Sequence, residues 1–253
     1  MVDGRPSWSQ FCVSSTSVSH LLVIDDERAT RAMVHDCLGP FGDVVYAGSA
    51  GQARRIVAQG DVELVVIESQ LADGSGLDVL GQIRRGDPRL PVVVVTGFGS
   101  PAVCSMALEL GATDYFQKPV DPTALRRCLH RCLAIRRTGD VRLVSVLAHI
   151  EDGYRQPLTL TAVARSAGLG PFALARAFHR AFGVSLRTYV ALLRIHNART
   201  LLVQTDTSVA EIGASVGFAD PAHFTALFEK HMGVSPTLYR RQRVITRPPP
   251  SPR

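Results

Sequence analysis

The feature that most restricts how this chain can fold is a pattern that occurs twice in its last hundred residues. A short apolar segment ends at a glycine, a few residues turn the chain, and a longer segment follows. The first copy runs through 160–168, 169–171 and 172–185, the second through 209–217, 218–221 and 222–235. Ahead of the turn the copies are offset by 49 residues and after it by 50, so the second has one extra residue confined to its turn. Both flanking segments are therefore kept. Gly168 and Gly217 end the first segments, where a missing Cβ permits the left-handed backbone that turns a helix end sharply. Leu174, Phe178 and Phe182 in one copy, and Phe224, Phe228 and Met232 in the other, recur every fourth residue. That spacing predicts one buried stripe per helix. Between the copies, residues 186–204 keep helical spacing through Leu186, Tyr189, Val190, Leu193 and Leu201, with no Pro or Gly.

Helix, tight turn and helix is the arrangement in which DNA readers place the second helix in the major groove. The connecting helix would span roughly 28 Å, close to the ~34 Å of one turn of B-DNA. Two reading heads on such a strut can face successive grooves of one duplex. The region resembles the AraC-type family of transcription regulators in Arg194, Ala198, Leu201 and Leu202, then Ile212, Gly217, Phe218, His223, Phe224, Phe228 and residues 233–236. The resemblance implies an all-α tandem helix-turn-helix domain, here residues 158–243, that binds double-stranded DNA. A tetratricopeptide array, the helical alternative, repeats at about 34 residues and has no long strut.

Charge follows the same division. Residues 1–140 hold 14 Lys and Arg against 16 Asp and Glu, a net of −2, whereas 141–253 hold 14 against 6, a net of +8. A basic half that coincides with the duplicated motif suits a partner made of phosphates. No helix with a dense basic face points to a membrane surface instead. A hydrophobic content of 46% excludes a wholly disordered chain. Cys12, Cys37, Cys104, Cys128 and Cys132 form no C-x-x-C pair, and an odd count argues against a disulfide framework. Cys128, His130 and Cys132 read as small residues of a packed helix rather than as metal ligands. No apolar run reaches the length of a membrane span and no leader pattern opens the chain, so a cytoplasmic protein is expected.

From 20 to 136 the chain alternates strand and helix five times. Strands are expected at 21–24, 44–46, 64–67, 92–95 and 114–116, with helices near 28–38, 50–59, 76–85, 101–110 and 121–136. Short, wholly apolar strands between amphipathic helices imply a doubly wound α/β parallel sheet of five strands, covered on both faces. Ligands of such sheets bind at the C-terminal strand ends. Those ends carry Asp25 and Asp26, Glu68, Thr96, and Lys118 before Pro119. Lys118 is the only lysine among the first 140 residues, a compact cation where a guanidinium fork is not used. Clustered carboxylates favour a hard divalent cation, here Mg²⁺, held by Asp25, Asp26 and Glu68.

This half resembles the receiver domain of two-component response regulators, which have a flavodoxin-like sheet. The resemblance implies that Asp25 and Asp26 hold Mg²⁺, that Thr96 and Lys118 sense a phosphoryl group, and that Tyr115 is the aromatic switch. The phosphoacceptor position, an aspartate in that family, is Glu68 here. One more methylene moves the carboxylate roughly 1.3 Å outward, and a shift of about 1 Å can cost on the order of a hundredfold in rate. Poor phosphoryl transfer is expected, and two readings stand: Glu68 imitates the phosphorylated state, or the site keeps slow chemistry or has decayed to a dimerising module. The family's proline before the loop glycine is also missing. Asp73, on that loop, is a poor substitute acceptor.

The expected division is thus a disordered tail at 1–19, the receiver-like domain at 20–136, a linker at 137–157, the DNA-binding domain at 158–243 and a basic Pro-rich tail at 244–253. The fifth receiver helix is expected to run almost continuously toward the second domain. On the first reading helix Phe172, Ala173, Arg176, His179 and Arg180 are the DNA-facing candidates, with Arg176 suited to guanine and Phe172 to a thymine methyl. On the second, Ala222, His223, Thr225, Ala226 and Lys230 take those places, and less sequence discrimination is expected of it. No catalytic residues are expected. A phosphohydrolase of the haloacid dehalogenase kind would need a second acid two residues after a nucleophilic Asp, which 25–28 does not supply convincingly. Implied partners are a sensor kinase, RNA polymerase and a second copy through the receiver domain. Target promoter and sign of regulation are not legible.

Overall fold

In the computed structural model, residues 20–245 are described; the expectations for 1–19 and for 246–253 lie outside the described residues. The described chain divides into two compact units, one built on a sheet and one helical.

The sheet unit runs β1 (His20–Ile24), α1 (Arg28–Leu38), β2 (Asp43–Ala47), α2 (Ala50–Gln59), β3 (Val62–Ile67), the short β4 (Gln70–Leu71) and β5 (Gly74–Ser75), α3 (Gly76–Gly86), β6 (Val92–Thr96), α4 (Pro101–Glu109), β7 (Asp114–Gln117) and α5 (Pro122–Thr138). Five strands pair in the order β2-β1-β3-β6-β7, all parallel. The apolar runs of β1, β3 and β6 are buried, as a sheet covered on both faces requires. The chain leaves β1 toward β2 and then crosses to β3 on the other side, which opens a crevice between the ends of β1 and β3. Pairing of Ile24 with Ile67 puts Asp25 and Glu68, one residue further on each strand, side by side. Pairing of Thr96 with Gln117 sets Lys118 one residue beyond Thr96.

Local chemistry fixes the helices around that crevice. Ser49, Ser75, Ser100 and Asp121 accept backbone N–H groups at the starts of α2, α3, α4 and α5, satisfying donors that have no partner inside the helix. Gly76 N donates to Ser69 O at 2.8 Å, and a Cβ at Gly76 would lie 1.9 Å from the Glu68 carbonyl oxygen. Only glycine allows that approach, so the β4–β5 hairpin is folded tightly under the strand end. The two-residue strands of this hairpin escape a reading by periodicity because they are shorter than any period.

One expectation is corrected here. The fifth helix does not run on: α5 ends at Thr138, where Gly139 takes φ 67° and donates to Ile135 O. Asp140 Oδ1 then accepts the Arg142 N–H at 3.0 Å and starts a separate helix, α6 (Arg142–Gly153). A left-handed glycine followed by an acidic cap is a stop and a restart, and continuous apolar spacing across 133–150 does not reveal it.

After α6 the chain forms α7 (Leu160–Ser166), α8 (Pro171–Phe182), α9 (Leu186–Gln204), α10 (Val209–Ser215), α11 (Pro221–Met232) and α12 (Pro236–Ile245); of these, residues 176–183 of α8 and its end group with the sheet unit and the rest make up the helical unit. Gly168 and Gly217 have φ of 63° and 102°, as the turn pattern requires. Thr159 caps α7, and Ser208 with Glu211 forms a capping box on α10. The strut α9 is one uninterrupted helix of 19 residues that buries Leu186, Tyr189, Val190, Leu193, Ile195, Ala198 and Leu202. Arg194 explains why an arginine sits in it: Nε donates to Tyr154 O at 2.7 Å, Nη2 to Gln156 O at 3.0 Å, and the guanidinium lies 5.7 Å from the Phe218 ring. It holds the chain before α7 and the turn before α11 to the same strut.

Candidate functional site

At the strand ends Asp25, Glu68 and Thr96 are buried. The Lys118 ammonium, 18% exposed, lies 2.8 Å from Asp25 Oδ2, 2.8 Å from Glu27 Oε2 and 3.1 Å from Glu68 Oε2. Glu68 is held from every other side as well. Its Oε1 accepts Ser69 N at 2.7 Å and Ser69 Oγ at 3.2 Å, and its Oε2 accepts Gly97 N at 3.1 Å. Burial pushes the Glu68 carboxyl up, but the Thr96 hydroxyl, the Gly97 N–H and the Lys118 ammonium outweigh it and hold it below its ordinary range. Hydrogen bonding and charge from Lys118 likewise lower Glu27. Burial works against the charged Lys118, yet its bonds to Asp25, Glu27 and Glu68 raise it overall. Glu27, Glu68 and Lys118 are thus ionised near neutral pH, and the two glutamates share one cation.

Of the expected metal ligands, Asp25 and Glu68 come together and Asp26 does not. Asp26 is exposed, and Glu27 reaches Lys118 in its stead because its longer side chain folds back across α1's first turn. Oxygen-rich acids suit Mg²⁺, but the Lys118 ammonium already lies among Asp25, Glu27 and Glu68. Among the described residues no group of three or more His, Cys, Asp or Glu side chains is arranged to hold a metal ion. The arrangement does not fit a divalent ion while Lys118 keeps its place.

Thr96 Oγ1 accepts the Phe98 N–H at 3.0 Å and lies 2.7 Å from Ser69 Oγ. The Tyr115 hydroxyl is buried without a hydrogen-bond partner. Asp73 is tied to the start of α2, accepting Ala50 N at 2.6 Å and Gly51 N at 3.0 Å, which holds it to the hairpin. Sequence reasoning missed Glu27 and Ser69. Both follow a strand end, where alternation no longer says which side chain enters the crevice. Cys37, Cys128 and Cys132 are buried, and the Cys128 thiol contacts Asp114 Oδ2 at 3.3 Å.

On α8, Phe172, Arg176, His179 and Arg180 are exposed, Phe172 to 87%, while Leu174 and Phe178 are buried. Ala173 is half-buried. On α11, Ala222, His223, Ala226 and Lys230 are exposed. The half-buried Thr225 gives its hydroxyl to Pro221 O at 3.0 Å, which occupies the one donor it could offer a base. Asp220 caps this helix through Ala222 N.

Comparison with known proteins agrees with both halves. Residues 21–130 match the response regulator receiver domain family and 163–242 match a helix-turn-helix domain family. The chain is 34% identical over 116 residues to the response regulator protein PilR of Pseudomonas aeruginosa, covering 46% of this chain and 26% of that one. It is 32% identical over 144 residues to the alginate biosynthesis transcriptional regulatory protein AlgB of the same species, covering 56% and 31%. The photosynthetic apparatus regulatory protein RegA of Rhodovulum sulfidophilum is 38% identical over 107 residues, covering 40% and 56%. The chain therefore spans well under two thirds of the length of these relatives. Among solved structures, the receiver domain of NtrX from Brucella abortus is 29% identical with a TM-score of 0.42, covering 44% of this chain and 96% of that one. An AraC-type transcriptional regulator from Chromobacterium violaceum is 30% identical with a TM-score of 0.39, covering 40% and 91%. The strand order, the residues at the strand ends and the duplicated motif agree with these matches, a response regulator receiver domain over residues 21–130 and a helix-turn-helix domain over residues 163–242.

Proposed function

We propose that this chain is a DNA-binding transcription regulator whose receiver pocket is held by its own Glu68 instead of by a phosphoryl group. The observation that carries this is the buried Glu68 carboxylate, which takes the Lys118 ammonium and the Gly97 N–H. Those are the donors that a phosphoryl group on this strand end would need. An acid already paired on both oxygens is a poor nucleophile. Incubation of the full chain with acetyl phosphate and Mg²⁺, followed by intact-mass measurement, is expected to give no adduct. A stoichiometric gain of about 80 Da that vanishes in Glu68→Ala overturns the reading.

Output follows from the duplicated helix-turn-helix. Arg176 reads guanine through its two-pronged guanidinium, Arg180 and Lys230 contact phosphate, and Phe172, His179, Ala222, His223 and Ala226 line the groove-facing surfaces. A second copy of the chain pairs through the receiver unit, a reading supported by the exposed apolar Met106 and Leu108 on α4 and Phe98 in the loop before it. A sensor kinase is not needed to switch such a pocket on. RNA polymerase in the cytoplasm is the partner through which promoter binding acts. Sedimentation of the full chain at micromolar concentration tests the pairing, and a monomer at all concentrations sinks it.

A further inference from the structure

Ser69 follows the acceptor position, and the residue is only 4% exposed although it lies beyond the strand end. Its hydroxyl is 3.2 Å from Glu68 Oε1 and 2.7 Å from Thr96 Oγ1. Thr96 Oγ1 accepts the Phe98 N–H at 3.0 Å. An ionised carboxylate only accepts, and each hydroxyl has one proton to give. If Ser69 gives its proton to Glu68, the proton between the two hydroxyls must come from Thr96, and Thr96 in turn is free to accept from Phe98. The protons of Phe98 N, Thr96 and Ser69 then all point one way, toward the Glu68 charge. Chains of this kind strengthen one another in a low-dielectric interior.

We propose that Ser69 is a positioning residue that relays the negative charge of Glu68 through Thr96 to the backbone of the β6–α4 loop, and so sets the pose of Phe98 at the entry to α4. The proposal rests on the reading that Glu68 stands where a phosphoryl group would. It adds the route by which that charge leaves the pocket. Ser69 adds a second hydroxyl between the Glu68 carboxylate and Thr96. Phe98, 62% exposed, is the end of the route at the surface, in the loop that leads into α4.

Amide hydrogen exchange on the full chain tests it, with thermal denaturation run on each variant as a check of folding. Ser69→Ala is expected to speed exchange at the Phe98 amide about tenfold, the loss of roughly one hydrogen bond, and to leave the amides of β1 and β3 unchanged. Glu68→Ala is expected to do the same, and the double variant to show no further increase, because both act on one chain of bonds. Ser69→Cys keeps the volume with a weaker donor and is expected to give an intermediate rate. Wild-type exchange at Phe98 in Ser69→Ala, with fast exchange in Glu68→Ala, overturns the relay and leaves the Glu68 reading standing. Wild-type exchange in both variants overturns the relay and the Glu68 reading together.

Discussion

The two helices proposed to read DNA, α8 and α11, share a backbone plan and differ in what they expose. Positions that build the fold are matched: Leu174 with Phe224, and Phe178 with Phe228, are all buried. Positions that face outward are not. Phe172 and Arg176 correspond to Ala222 and Ala226, His179 to Glu229, and only Arg180 keeps a cation, as Lys230. Asp220 adds a second acid at the start of α11. Duplication therefore preserved what packing demands and released what reading demands. On the proposed reading the first head has side chains able to distinguish bases, while the second, with Ala222, Ala226, Glu229 and Lys230 outward, suits a backbone. The turns differ too. A Cβ at Gly168 would meet nothing within 4 Å, whereas one at Gly217 would lie 2.5 Å from the Arg155 carbonyl oxygen.

Several substitutions would break or sharpen this contrast. The largest effect is expected from Gly217→Ala, which combines left-handed backbone strain with a collision against main chain, together ~3 kcal/mol. Chemical denaturation reads it, and a cost equal to that of Gly168→Ala would remove the distinction between the turns. Arg176→Ala comes next, at about 1 to 3 kcal/mol on the preferred sequence with relaxed choice at one base pair. Binding selections on a randomised duplex pool read both, and an equal loss on all sequences means that Arg176 holds phosphate instead. Gly168→Ala should cost only the backbone strain, ~1 kcal/mol. Lys230→Ala should weaken binding to all duplexes alike and reduce the salt slope by about 1; a change in preferred sequence would make α11 a second reader. The smallest effect is one that spares both heads. The folded-state Glu68 carboxyl is held below its ordinary 4.5, so the stability it contributes is complete above that pH and is lost as pH falls through its lowered folded value. Acid titration of Glu68→Gln should lack this component, and an identical acid profile for both chains would mean that the carboxylate contributes nothing.

Much of the architecture was legible because it rests on repetition. Strand runs at 21–24, 64–67 and 92–95 and the buried stripe of each reading helix lie within a residue or two of where periodicity places them. What periodicity could not place was whatever happens once a strand or helix ends. The Gly139 stop between α5 and α6 lies inside unbroken apolar spacing, and the β4–β5 hairpin is too short to have a period. In the pocket, Asp25, Thr96 and Lys118 were readable from their positions at strand ends. Asp26 and Glu27 were not separable, since the side-chain direction of residues in an open loop depends on what they meet.

By itself the sequence determined the elements, their order, the charge divide and the unusual acid at position 68, because each of these is a local pattern or an identity. Tertiary structure alone decided that Lys118 is shared by Asp25, Glu27 and Glu68, and that Ser69 stands between Glu68 and Thr96. Those contacts join residues as many as 93 positions apart. They follow from parallel strand register and a glycine that lets the hairpin close against the strand end, neither of which is written in any single stretch of chain.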